Sequence, residues 1–171
     1  MNMKKTILRF GVYGIITIFL LSLLIWSLIG SMDDIMGEII GYSSMVLSLL
    51  FVYFGIKHFR DKENNGIVTF GKALLIGILI SLIVSLAFGI LDVIYVKFIN
   101  PDFMTDYYAR NLEQLQASLP AEEFEIKKAE LESEKEMFLN PFIHFFIMSM
   151  MVFVIGFIIS MLSALILQRK N

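Results

Sequence analysis

The stretch Gly41 to Gly77, GYSSMVLSLLFVYFGIKHFRDKENNGIVTFGKALLIG, holds an apolar run, a hydrophilic loop of mixed charge and the start of a second apolar run. The first run, roughly Ile39 to Ile56, is about long enough to cross a ~30 Å hydrocarbon layer at about 1.5 Å per helical residue. The second continues from about Lys72 toward Val96. Between them Lys57, Arg60, Lys62 and Lys72 outweigh Asp61 and Glu63. Short loops rich in Lys and Arg stay on the cytoplasmic side, so this loop sets the orientation of its two helices.

Residues 1 to 9 carry Lys4, Lys5 and Arg9 with no acid, and an apolar run from Phe10 to about Ile29 follows. The run exceeds the ~7–15 residues of a signal-peptide core. With no small-residue cleavage site before Ser31, an uncleaved first membrane helix is expected. The next connection, with Asp33, Asp34 and Glu38, is purely acidic, and Trp26 and Tyr42 flank it as headgroup-level aromatics. The last apolar run, roughly Phe142 to Leu167, ends in the basic tail Gln168, Arg169 and Lys170. Four crossings place both termini in the cytoplasm and the acidic connections outside.

Composition agrees with this reading. The chain has 171 residues, 57% of them hydrophobic, against about 45–50% in soluble domains. Its charges are segregated, and no basic patch argues for nucleic acid. With no Cys, the chain has no disulfide, thiolate metal site or Cys nucleophile. The Met and Phe residues are expected to fill lipid-facing and interhelical space.

In the third apolar run Ala73, Gly77, Ser81, Ser85 and Gly89 recur at every fourth position, and the fourth run has Gly156, Ser160 and Ala164. Membrane helices lack a hydrophobic drive toward one another and associate where small residues let backbones approach. Helices three and four are therefore expected to pack through these faces. At about 100° per residue the five positions of helix three drift by roughly 160°, so about three of them can share one crossing.

From Asn100 to Asn140 the composition turns polar and acidic, with ten Asp or Glu against Arg110, Lys127, Lys128 and Lys135. Asn100-Pro101 and Asn140-Pro141 each offer an Asn cap followed by Pro at the first helical position, where its missing N–H costs nothing. Tyr108, Leu112, Leu115 and Leu119 form one apolar stripe, and beyond Pro120 the residues Phe124, Leu131 and Phe138 form another. An extracytoplasmic pair of amphipathic helices, folded back as a hairpin, is expected for residues 100–140.

GIVTFGKA, residues 66–73, approaches a phosphate-binding loop but lacks the final Ser or Thr and has no preceding strand. Thr69 as a helix cap and Lys72 as a cytoplasmic anchor fit better. His58 and His144, the only histidines, fall at opposite membrane faces and cannot share a metal. No calcium-loop spacing and no G-x-S-x-G occurs. Neither a metal, nor a cofactor, nor an enzymatic activity is expected. Asp92 is the one acid inside an apolar run, and intramembrane acids are functional candidates by default. His144, near the same outer boundary, is its expected partner, with Lys97 second.

The stretch GYSSMVLSLLFVYFGIK at 41–57, TFGKA at 69–73, NPDF at 100–103, Asn140-Pro141 and the terminal SMLSALILQRK from Ser160 span nearly the whole chain. On these features the chain resembles a family of small bacterial membrane proteins, the domain of unknown function 4199. The resemblance implies a bacterial four-helix membrane domain with an extracytoplasmic insert, and carries no catalytic residues. The expectation is thus an all-α inner-membrane protein, a single domain over residues 1–171 with an acidic insert at 100–140. It would sit in the lipid bilayer and bind a protein partner or a second copy of itself as a scaffold. A small transporter or channel subunit using Asp92 is the alternative.

Overall fold

The computed structural model describes residues 2–28 and 34–169; Asp33, Lys170 and the Asp34 and Glu136 side chains lie outside that description. The helices are α1 (Met3–Leu28), α2 (Asp34–His58), α3 (Phe70–Ile94), α4 (Phe103–Ser118), α5 (Ala121–Leu139) and α6 (Pro141–Leu167). A single π-helical turn extends α2 over Phe59–Glu63, and another extends α3 over Tyr95–Ile99. The described residues contain no strand, only an isolated bridge between Val68 and Arg169.

Four stretches are long and apolar enough to cross a membrane: Met3–Leu28, Ile35–Glu63, Phe70–Ile99 and Pro141–Leu167. Within the most apolar window of each, only 33–39% of residues are buried in the protein. The remaining face is open and apolar, with Leu20, Leu24, Ile90, Met150 and Ile166 among its side chains. Such a surface is costly in water and at no cost in hydrocarbon, where a helix satisfies its own backbone.

The chain forms two compact units, residues 1–88 with 149–171, and residues 89–148. In the first, α2 supplies the middle of the core through Leu49, Val52 and Ile56, all fully buried. Glycines set the helix spacing. A Cβ at Gly55 would lie 2.5 Å from Ile80 of α3 and 3.2 Å from Phe10 of α1, and one at Gly11 would lie 2.9 Å from Ile83. Helices α2 and α3 each touch the other three helices of this unit, including α6 at Ser160 and Gly156.

The loop from α2 to α3 is tied down from several sides. Phe59 is fully buried, Asn65 and Gly66 take positive φ of 52° and 81°, and the Gly66 N–H donates to Arg60 O at 2.8 Å. Only glycine adopts the second of these values without cost. Arg60 donates from Nη1 to Leu167 O at 3.3 Å, a cation at the C-terminal end of α6 where carbonyls lack helical partners. Val68 and Arg169 exchange backbone hydrogen bonds of 3.2 and 2.8 Å.

In the second unit α4 and α5 pack against each other. Tyr108 is buried, Leu112, Leu115 and Leu119 are half-buried, and so are Phe124, Leu131 and Phe138 of α5. Lys128 and Lys135 are half-buried too, their alkyl stems widening the narrow α5 stripe.

The two Asn-Pro pairs behave differently. At Asn140-Pro141 the Asn140 side chain accepts from the N–H groups of Phe142 and Ile143 at 3.0 and 3.4 Å, capping α6. Asn100-Pro101 does not begin a helix; α4 starts at Phe103, after Asp102 with no side-chain cap. The reason is the π turn before it: Asn100 N–H donates to Tyr95 O at 2.9 Å and its amide donates to Tyr95 Oη at 3.3 Å. Asn100 therefore closes the preceding turn, and its carbonyl accepts from Phe103 N–H at 3.1 Å in a turn that comes before α4.

Candidate functional site

Within residues 89–148, Asp92 stands near the end of α3 and His144 in the first turn of α6. Asn140 sets the start of α6 and so the position of the imidazole. The π turn that follows Asp92 is of a kind frequent at functional sites. His144 Nε2 is hydrogen-bonded to Asp92 Oδ2. The imidazole is 1% exposed and the Asp92 side chain 23%, so the carboxylate lies between the ring and the surface. The Phe138 ring meets the imidazole edge-on, with centroids 5.6 Å apart.

The second ring nitrogen, Nδ1, is buried and without a hydrogen-bond partner among the described residues. That asymmetry selects a tautomer. With the proton on Nε2 the ring donates to the carboxylate, and Nδ1 keeps a lone pair whose isolation costs less than an unpaired buried N–H. The arrangement is an Asp–His hydrogen-bonded pair in an apolar surrounding. It has no nucleophile, and the described residues contain no group of three or more His, Cys, Asp or Glu able to hold a metal. Lys97, the other expected partner of Asp92, is exposed.

The same unit holds a run of aromatic contacts. Tyr95 meets Phe103 edge-on at 5.4 Å, and Phe103 stacks on Tyr107 at 6.3 Å. Burial, together with the negative charge of Glu134, raises the Tyr108 phenol above its ordinary value. The acids of α4 and α5 point the other way: every described Asp and Glu of residues 100–140 is exposed. Lys127 pairs with Glu130 at 2.6 Å, and that hydrogen bond raises the lysine's pKa.

In the first unit the small faces of α3 and α6 meet. A Cβ at Gly77 would lie 2.7 Å from Ser160 Cβ, and one at Gly156 would lie 2.6 Å from Ser81 Cβ. Ser160 Oγ donates to Gly156 O at 2.6 Å and Ser81 Oγ donates to Ser160 Oγ at 3.1 Å. Ser85 is buried and returns its hydroxyl to Leu82 O at 3.0 Å. Ala73 and Ala164 are buried, and Gly89 belongs to the second unit. Sequence periodicity did not indicate the contacts of Gly11 and Gly14 on α1 with Ile83 and Val84 of α3. Their three-residue spacing was the available signal. His58 is half-buried in the first unit, its ring 5.4 Å from that of Phe10. Thr69 precedes α3 and accepts from Ala73 N–H at 2.9 Å through its carbonyl, while Lys72 lies 5.6 Å from the centre of the Phe59 ring.

An all-helical chain with four helices of membrane-crossing length and apolarity is, in class, a membrane protein. The chain belongs to the family described as protein of unknown function (DUF4199), whose model matches residues 9–169. No curated protein and no solved structure matches the chain.

Proposed function

We propose that the chain is a non-enzymatic protein of a bacterial cytoplasmic membrane that holds a protein partner through α4 and α5. In this reading both termini and the Lys57–Lys72 loop are cytoplasmic and residues 100–140 lie outside, which the distribution of Lys and Arg supports. The observation that carries it is the division of labour within the α4–α5 pair: apolar stripes turned inward, and every described acid left exposed. Such a surface suits a basic protein segment, with charge steering the encounter and the exposed Ile126 adding apolar contact. The test is a photo-crosslinking residue at Glu125 or Glu132 in native membranes. A discrete partner whose capture falls with added salt and with Glu122→Gln/Glu123→Gln/Glu125→Gln supports the proposal. A crosslink only to a second copy of the chain redirects it to self-association, and no crosslink overturns it.

A second reading, a small transporter or channel subunit, rests on the Asp92–His144 pair, an ionisable pair held by two apolar helices. Ion flux into liposomes containing the purified chain, abolished by Asp92→Asn, would favour it.

A further inference from the structure

We propose that the beginning of α1 binds one anionic phospholipid, the phosphate at Lys4, Lys5 and Arg9 and an acyl chain along Leu8 and Val12. A groove of about 540 Å³ runs over this helix face, lined by Lys4, Lys5 and Arg9 and, between and beyond them, by Leu8, Val12 and Tyr13. The first 32 residues include no acid. Among the described residues Lys4 and Lys5 make no ion pair, and Arg9 Nε donates to the neutral Tyr13 Oη at 3.1 Å. Three positive charges therefore lie on one helix face; Glu63, whose Oε2 accepts from the Asn2 N–H at 3.5 Å at the rim of the groove, forms no ion pair with them among the described residues. The tyrosine bond fixes one edge of the guanidinium and leaves its charge uncompensated.

Helical geometry supplies the rest. Residues four apart stack on one face, so Leu8, Val12, Ile16 and Leu20 form a continuous strip below the cations. All four are exposed: Leu8 61%, Val12 47%, Ile16 49% and Leu20 58%. Because Met3–Leu28 is of membrane-crossing length, the cations fall near the headgroup level and the strip at the level of the chains. A zwitterionic lipid brings its own cation to compete with Lys5 and Arg9. Free phosphate leaves the apolar strip unused. An anionic phospholipid satisfies both parts at once.

The experiment uses the full chain in detergent, titrated with a short-chain phosphatidylglycerol, the matching phosphatidylcholine, and inorganic phosphate, with bound molecules counted by native mass spectrometry. Expected is one retained phosphatidylglycerol, with phosphatidylcholine and phosphate at least tenfold weaker. Lys5→Gln/Arg9→Gln should lower the affinity by about fivefold per charge removed. Lys4→Gln/Lys5→Gln should do the same, and Lys57→Gln/Lys62→Gln should leave the affinity unchanged. Equal retention of the two lipids, phosphate binding as tight as the lipid, or equal losses in all three variants would each overturn the proposal. A circular dichroism spectrum matching that of the parent chain identifies variants that remain folded.

Discussion

Replacing Gly156 by Ala adds one methyl group at the α3–α6 crossing. That methyl would lie 2.6 Å from Ser81 Cβ and 3.1 Å from Leu49 Cδ2, where ordinary contact begins near 3.4 Å. Ser81 cannot swing aside, because its Cβ is fixed by the helix backbone, and its Oγ, 2.7 Å from the same point, is bonded to Ser160 Oγ, which is bonded back to Gly156 O. The helices must separate by several tenths of an ångström, or the serine pair must open. Overpacking of this kind costs about 1–3 kcal/mol. Loss of one buried hydrogen bond adds about 0.5–1.5 kcal/mol. Against this, Ala is favoured over Gly inside a helix by about 1 kcal/mol. The net destabilisation expected is about 1–3 kcal/mol. Gly41→Ala is the matched control, since nothing lies within 4 Å of its added Cβ. There only the propensity term remains, and the protein should be unchanged or slightly more stable. Unfolding in mixed micelles of increasing denaturing-detergent fraction, followed by circular dichroism, measures both. Equal midpoints for the two variants would refute the close-crossing argument.

Three further outcomes are expected. Asp92→Asn replaces a charge-assisted bond to the buried His144 by a weaker neutral one. It should destabilise residues 89–148 by about 1–3 kcal/mol, seen as faster hydrogen exchange there, and should reduce partner capture more than any single Glu→Gln in residues 122–136. Asn140→Ala removes the cap of α6 and should cost about 1 kcal/mol, whereas Asn100→Ala should leave the start of α4 unchanged. The raised Tyr108 pKa means that its stabilising contribution is complete below the ordinary tyrosine value and is lost as pH rises through the folded value. Alkaline unfolding of Tyr108→Phe should lack that step, and an unchanged profile would show that Tyr108 does not carry it.

What could be read in the sequence was whatever repeats along one helix or follows from burial. The four apolar runs are legible because a membrane-crossing helix is apolar on every face. The every-fourth spacing of Gly77 and Ser81 marks a face, and Asp92 stands out as a lone acid in an apolar run. What pairs with what is a three-dimensional matter. That Ser81 reaches Ser160, or that Arg60 reaches Leu167 O, depends on the register between helices distant in the chain. The π turns at Phe59–Glu63 and Tyr95–Ile99 leave no periodicity, because each is a single turn. For this reason Asn100-Pro101 had the pattern of a helix start, although Asn100 closes the π turn that begins at Tyr95.

The proposed role depends on the acidic helices lying outside and the basic loop inside, and the chain's lack of Cys allows this to be measured without background. Single substitutions Ser133→Cys in α5 and Lys62→Cys after α2 place one thiol at an exposed position in each region. In intact spheroplasts a membrane-impermeant maleimide should label Ser133→Cys and reach Lys62→Cys only after lysis. Labelling of Lys62→Cys in intact spheroplasts, with Ser133→Cys protected, would contradict the orientation and with it the proposed outward-facing partner site.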